Sequence, residues 1–159
     1  MITSKICFKK FGNPRLLSTE QKWMTLWIVP SDIREAFSHV YFADLGTIGF
    51  PKKIYGNKLF IPLLEKALRN VMDRKLTKEL KSWDGVFVIR KKVSNDSMSL
   101  HSWGIAVDVN RHDNEYGQKP TLSHEFVKCF TDEGLEWGGY WKTPDGMHFQ
   151  LAKIPDDVV

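Results

Sequence analysis

Two histidines and an aspartate in this chain are spaced as a metal centre would need them. His101 and Asp108 lie in the run Ser99-Leu100-His101-Ser102-Trp103-Gly104-Ile105-Ala106-Val107-Asp108, and His148 lies in Asp145-Gly146-Met147-His148-Phe149. Two imidazoles and one carboxylate leave the fourth position of a tetrahedral zinc ion open, as in catalytic rather than structural zinc sites. Zinc in such a site lowers the pKa of its water to about 7 and polarises a substrate carbonyl. A base must then take the water's proton and pass it to a leaving amine. Asp145 is the candidate. It precedes His148 by three positions, which on a regular strand would set the two on opposite faces, but Gly146 permits a turn or bulge that brings the carboxylate back over the metal. His112 and Asp113 offer a rival ligand source, although they sit in a polar stretch past the strand. His39, His112 and His124 read as structural histidines in polar loops and helix starts.

The elements around these residues must put them on one face. Residues 104–110 read as a strand in which Ile105, Val107 and Val109 face one way and Ala106, Asp108 and Asn110 the other. Residues 147–151 read as a second strand, with Met147, Phe149 and Leu151 opposed to His148 and Gln150. If the two strands pair, Asp108 and His148 share a face, and Gly104 lets the chain bend so that His101 returns to the same spot. Asp84-Gly85 predicts a turn before a strand over residues 86–89, and residues 135–137 predict another strand. Ser123 is placed to cap a helix that buries Phe126, Val127 and Phe130 and stops at Gly134. Pro62 opens an amphipathic helix carrying Leu64, Ala67, Leu68, Val71 and Met72, with a further turn near residues 76–83. Earlier, Ser18 and Gln21 resemble a capping box opening a helix through Trp27, on which Trp23 and Trp27 pack as an i,i+4 pair. Residues 31–42 predict a second short helix, and residues 45–56, with three glycines and Pro51, a loop. Helices gather in the first half and strands in the second, which predicts an α+β fold: a mainly antiparallel sheet with flanking helices in a single domain.

The pattern S-x-H-x-x-G-x-A-x-D, followed by W-G-G-x-W and D-x-x-H-F, resembles the VanY-like zinc peptidases, the family of D-Ala-D-Ala carboxypeptidases and L-alanyl-D-glutamate endopeptidases. It is most similar to compact phage and bacterial members, over about residues 86–151. The resemblance implies the hedgehog/DD-peptidase-like form of the α+β class. It implies that His101, Asp108 and His148 hold zinc and that Asp145 is the general base. It also implies that Arg90, at the end of the strand before the first motif, steadies an oxyanion or holds a substrate carboxylate, a task suited to a guanidinium fork. Ser99 is implied as a substrate contact, and Trp103 and Trp141 as shapers of the cleft. Where the family often has an acid, this chain has Tyr140. The expected organisation is one zinc peptidase domain over residues 1–159, with a helical and loop part at 1–55 and a catalytic core at 56–155.

Composition sets the remaining bounds. The 159 residues fit one domain, able to bury roughly 70% of its unfolded surface without disulfides. Cys7 and Cys129 form no zinc spacing and read as small buried hydrophobes. The N-terminus shows no apolar h-region, and no stretch approaches the ~20 residues needed to span a bilayer. The expectation is synthesis in the cytoplasm without a signal peptide, no membrane insertion, and action on the cell wall of a phage-infected host or from the virion. A net charge of +4 suits polyanions, but no helix-turn-helix, zinc-finger or aromatic-basic signature supports nucleic-acid work. The expected partners are peptidoglycan stem peptides and the expected state is a monomer. Within that class, L-alanyl-D-glutamate cleavage is preferred. D-Ala-D-Ala carboxypeptidase action and a non-catalytic, zinc-containing wall-binding module are the alternatives.

Overall fold

A computed structural model describes residues 1–92 and 95–158. Among the described residues the α-helices run in the order α1 (Ser4–Phe11), α2 (Leu17–Trp23), α3 (Ser31–Ala36), α4 (Ile61–Asp73) and α5 (His124–Thr131). The strands are β1 (Met24–Ile28), β2 (Tyr41–Phe42), β3 (Thr47–Ile48), β4 (Lys53–Asn57), β5 (Ser82–Gly85), β6 (Ala106–Val109), β7 (Leu135–Trp137) and β8 (His148–Leu151). Six of them form one sheet in the order β3-β2-β5-β6-β8-β7. Every pairing in it is antiparallel except β2 with β5. Strands β1 and β4 form a separate antiparallel pair. The α+β expectation therefore holds.

The alternation of β6 and β8 explains how the sheet divides core from site. Val107 faces Phe149 across the ladder, and Phe149 stacks on Phe130 of α5 with ring centroids 4.3 Å apart. That face of the sheet belongs to the helices. Asp108 and His148 alternate with these residues and so project from the other face. Ser123 caps α5 as expected, its Oγ accepting from Phe126 N at 3.1 Å. Helix α4 buries Leu64, Ala67, Leu68 and Val71 in the same core, and Pro62 occupies its first turn. Helices α4 and α5 are tied by Asn70, whose amide donates to the Cys129 carbonyl, and by an Arg74–Asp132 ion pair at 2.9 Å. Cys7 and Cys129 are both free and buried, and burial pushes the Cys7 thiol up to about 12.

Four local expectations are corrected. The helix expected through Trp27 ends at Trp23, and Met24–Ile28 instead pairs with Lys53–Asn57 inside the stretch read as loop. Thus Trp23 and Trp27 lie on different elements. Ser18 is not the cap of α2, which begins after Leu16 with no side-chain cap. Tertiary pairing overrides the capping signal here, because a run of β-prone residues finds a partner strand. The helix expected over residues 31–42 stops at Ala36, and Tyr41–Phe42 joins the sheet. The strand expected at 86–89 lies earlier, at Ser82–Gly85, and Gly85, at φ +112, turns the chain out of the ladder. Residues 4–11 form a helix that the sequence reading did not anticipate.

Candidate metal centre

Asp108 and His148 are direct partners in the β6–β8 register. Asp108 Oδ1 lies 3.2 Å from His148 Nδ1, and Asp108 Oδ2 lies 3.2 Å from His101 Nε2. The two imidazoles meet edge to face with centroids 5.3 Å apart. The three side chains offer ligand atoms that all lie within 4.8 Å of one another. His101 and His148 are 3% and 7% exposed.

His101 arrives on a 3₁₀ turn, Leu100–Trp103, that ends in Gly104 at φ +66. A Cβ at Gly104 would sit 2.6 Å from Met24 Cε and 2.7 Å from Asn57 N. The tight approach is used: Asn57 N donates to the Gly104 carbonyl at 3.0 Å and Asn57 Nδ2 to the Trp103 carbonyl at 3.1 Å. Gly104→Ala is therefore expected to destabilise the fold by about 2 kcal/mol or more, from left-handed strain plus overpacking. A denaturant midpoint checks it, and an unchanged midpoint would refute the close packing.

The outer nitrogens of both rings meet carbonyl oxygens, one of the backbone and one of a side-chain amide. His101 Nδ1 lies 2.7 Å from the Val86 carbonyl. His148 Nε2 lies 2.9 Å from Gln150 Oε1. Each outer nitrogen therefore carries the proton, and in the neutral rings the inner nitrogens, His101 Nε2 and His148 Nδ1, present lone pairs. Those lone pairs converge on a carboxylate, so three electron-rich groups face each other and call for a cation between them. His101 Nε2 is buried with no aligned hydrogen-bond partner among the described residues, as expected of an atom kept for a metal. The residues thus fit a metal ion. Burial alone would raise Asp108, but the charges and hydrogen bonds of His101 and His148 overcome it and hold the carboxyl well below the usual range. Burial alone would lower His148, but Asp108 raises it above the ordinary imidazole value.

The segment at 86–89 is spent on this site. Val86 O receives His101 Nδ1, and Val88 N donates to the His101 carbonyl at 3.3 Å. Arg90 follows, not at a strand end as expected but in this extended stretch, with its backbone N donating to Ser102 Oγ at 3.1 Å. Arg90 is among the residues lining a cleft of about 360 Å³ with His101 and Asp108, and its Nη1 donates to the Lys91 carbonyl at 3.3 Å. The opposite wall comes from the N-terminal part, through Phe42, Lys53, Ile54 and Tyr55.

Asp145 lies in a turn fixed by its backbone: its N donates to the Gly138 carbonyl at 2.9 Å, and its carbonyl accepts from His148 N at 3.1 Å. Its Oδ1 is buried without a hydrogen-bond partner among the described residues. Burial raises its carboxyl and the Asp108 charge adds to this, against the pull of His148, His101 and Arg90. Trp141 lies over His148 at 5.4 Å between centroids and donates from Nε1 to Glu136 Oε2 at 2.7 Å. Ser99 and Trp103 sit inward. Ser99 is buried and its Oγ accepts from His101 N, while the buried Trp103 donates from Nε1 to the Gly12 carbonyl. Tyr140 is 65% exposed and leans edge-on against Trp137. Gln150 and the Val86 carbonyl went unremarked as site groups. Gln150 could have been found, since it follows His148 by two positions on the same strand face, whereas the Val86 contact leaves no mark in the sequence.

Residues 92–151 match the family model described as D-alanyl-D-alanine carboxypeptidase. The VanY-like resemblance is borne out over that stretch. It contains His101, Asp108, Asp145 and His148 and omits the N-terminal wall of the cleft. The match supports a hydrolase, a peptidase related to peptidoglycan. No curated protein and no solved structure matches the chain. No helix among the described residues is long and apolar enough to cross a membrane.

Proposed function

We propose that this protein is a zinc peptidase that hydrolyses peptidoglycan stem peptides. The observation that carries the reading is the pair of imidazoles whose outer nitrogens are held by carbonyl acceptors, leaving both inner lone pairs turned on Asp108. His101 Nε2, an Asp108 oxygen and His148 Nδ1 would hold the ion. Two imidazoles and one carboxylate suit zinc. Zinc bound there supplies Lewis acidity, acidifying water and polarising the scissile carbonyl. Asp145 takes the proton of the attacking water at its buried carboxylate and returns it to the leaving amine. Arg90, a residue of the cleft lining, holds the developing oxyanion or a substrate carboxylate. Lys53 and Arg111 also line the cleft and suit acidic stem peptides, although Asp44 and Asp84 share its lining. The Asp84 carboxylate is occupied, accepting from Ser82 Oγ and Arg111 N. Trp141 supports the wall beside His148.

Cleavage between L-Ala and D-Glu is the preferred reaction, on the resemblance to compact phage members, and the place of action is the wall of an infected host. Removal of terminal D-Ala is the second reading, favoured by the description of the matching family. A half-buried Asp145 with a raised carboxyl beside the ligand set speaks for catalysis over a wall-binding module. Mass spectrometry of fragments released from purified peptidoglycan decides among them, with chelator-treated protein as control. Fragments beginning at D-Glu, absent from the control, are expected. Loss of only terminal D-Ala would select the carboxypeptidase, and release of nothing would leave the binding module.

A further inference from the structure

We propose that Gln150 is a positioning residue for metal binding, its side-chain carbonyl setting the tautomer of His148 so that Nδ1 presents the lone pair. The inference rests on the metal-site reading above. Strand β8 places Gln150 two residues beyond His148 on the same face, and its Oε1 meets His148 Nε2 at 2.9 Å. The residue is 2% exposed, so water does not compete for the imidazole. Its cross-strand neighbours do not compete either. Ala106 has no polar side chain, and Glu136 is engaged by Trp141 Nε1 at 2.7 Å.

Gln150 Nε2 is buried with no hydrogen-bond partner among the described residues. An unpaired amide donor inside a core opposes folding. An apolar residue of similar volume would avoid that cost, so the carbonyl end is what the position uses. The amide orientation decides the outcome. With Oε1 toward the ring, Nε2 holds the proton and Nδ1 is free to ligate. With the amide reversed, the NH₂ group would donate to Nε2 and Nδ1 would carry the proton toward Asp108, giving a hydrogen-bonded pair in place of a ligand set. Acceptors behind ligating imidazoles typically change metal affinity by 10–100-fold.

The test is zinc affinity, measured by competition with a chromophoric chelator, for the wild type, Gln150→Leu, Gln150→Met and Gln150→Glu, with melting temperatures of the metal-free proteins alongside. Leu and Met are expected to weaken zinc binding by roughly 10–100-fold with metal-free melting not lowered. Glu keeps an acceptor and is expected to restore the affinity to within about threefold, on the same principle. Equal affinity in all four proteins overturns the proposal and leaves the metal site standing. Weakened binding that tracks a fall in metal-free melting, and that Glu does not rescue, also overturns it, because the role would then be structural. A wild type that binds no zinc overturns the metal site and this proposal together.

Discussion

Asp145→Asn is expected to cut turnover by roughly 10²- to 10⁴-fold, the range for a positioned general acid–base group, while zinc stays bound and the fold becomes no less stable. The backbone of the turn, not the carboxylate, holds it in place: Gly138 and His148 bond the Asp145 main chain, and Trp137 Nε1 bonds the Gly146 carbonyl at 2.8 Å. The buried Oδ1 is unpartnered, so Asn removes a charge that the fold tolerates rather than needs. The pH behaviour follows from the same burial. The carboxyl is raised, and a base works only when ionised, so activity should climb with pH through a value above the ordinary carboxylate range and vanish below it. The sign for stability is opposite. The folded state binds this proton more tightly than the unfolded chain, so its contribution declines as pH rises from the unfolded value through the folded one. The Asn variant should lack that decline. Rate–pH profiles, zinc content and thermal melts read all three. Unchanged turnover with zinc bound would sink the assignment and favour a wall-binding module.

Asp108→Ala should lose both metal and activity. The carboxylate stands between two imidazoles at 3.2 Å from each, so its removal takes away the only anionic ligand and leaves two neutral nitrogens. Zinc contributes several kcal/mol of charge stabilisation to a reaction of this kind, which corresponds to a fall of at least about 10³-fold. Chelator-treated wild type should recover on adding zinc, and the variant should not. Protons compete for the same lone pairs, since Asp108 raises His148 against the effect of burial. Zinc retention by the wild type should therefore weaken as pH falls. A variant that keeps one zinc per chain after dialysis would show that the ligand set is wrong.

The half of the molecule that reads clearly in sequence is the half whose contacts are local or periodic. Alternation along β6 and β8 separates Phe149 from His148, and Val107 from Asp108, so a shared face for the site follows once the strands pair. Ser123 and the Phe126–Phe130 spacing mark α5 in the same way. What was misread depends on distant partners. Met24–Ile28 carries a helix-start signal just upstream and becomes a strand only because Lys53–Asn57 lies beside it. Residues 86–89 have strand composition, yet their backbone groups go to the His101 turn. Trp103 reads as a cleft aromatic by its place in the motif, but the partner that buries it, Gly12, lies outside any motif.

That last contact bears on how the protein is made. Trp103 shares its 3₁₀ turn with His101, and it is held by Gly12 and by the edge of Phe8, whose ring centroid lies 5.0 Å away. The hydrogen bond spans 91 positions of sequence. Closing so long a loop costs chain entropy, and contacts of high sequence separation form slowly. The N-terminal helix leaves the ribosome well before the turn it must dock against, and β8 follows later still. On the proposed reading the three ligands are complete only once β8 has been made, and the turn that presents His101 is set against residues 8–12, made some ninety positions earlier.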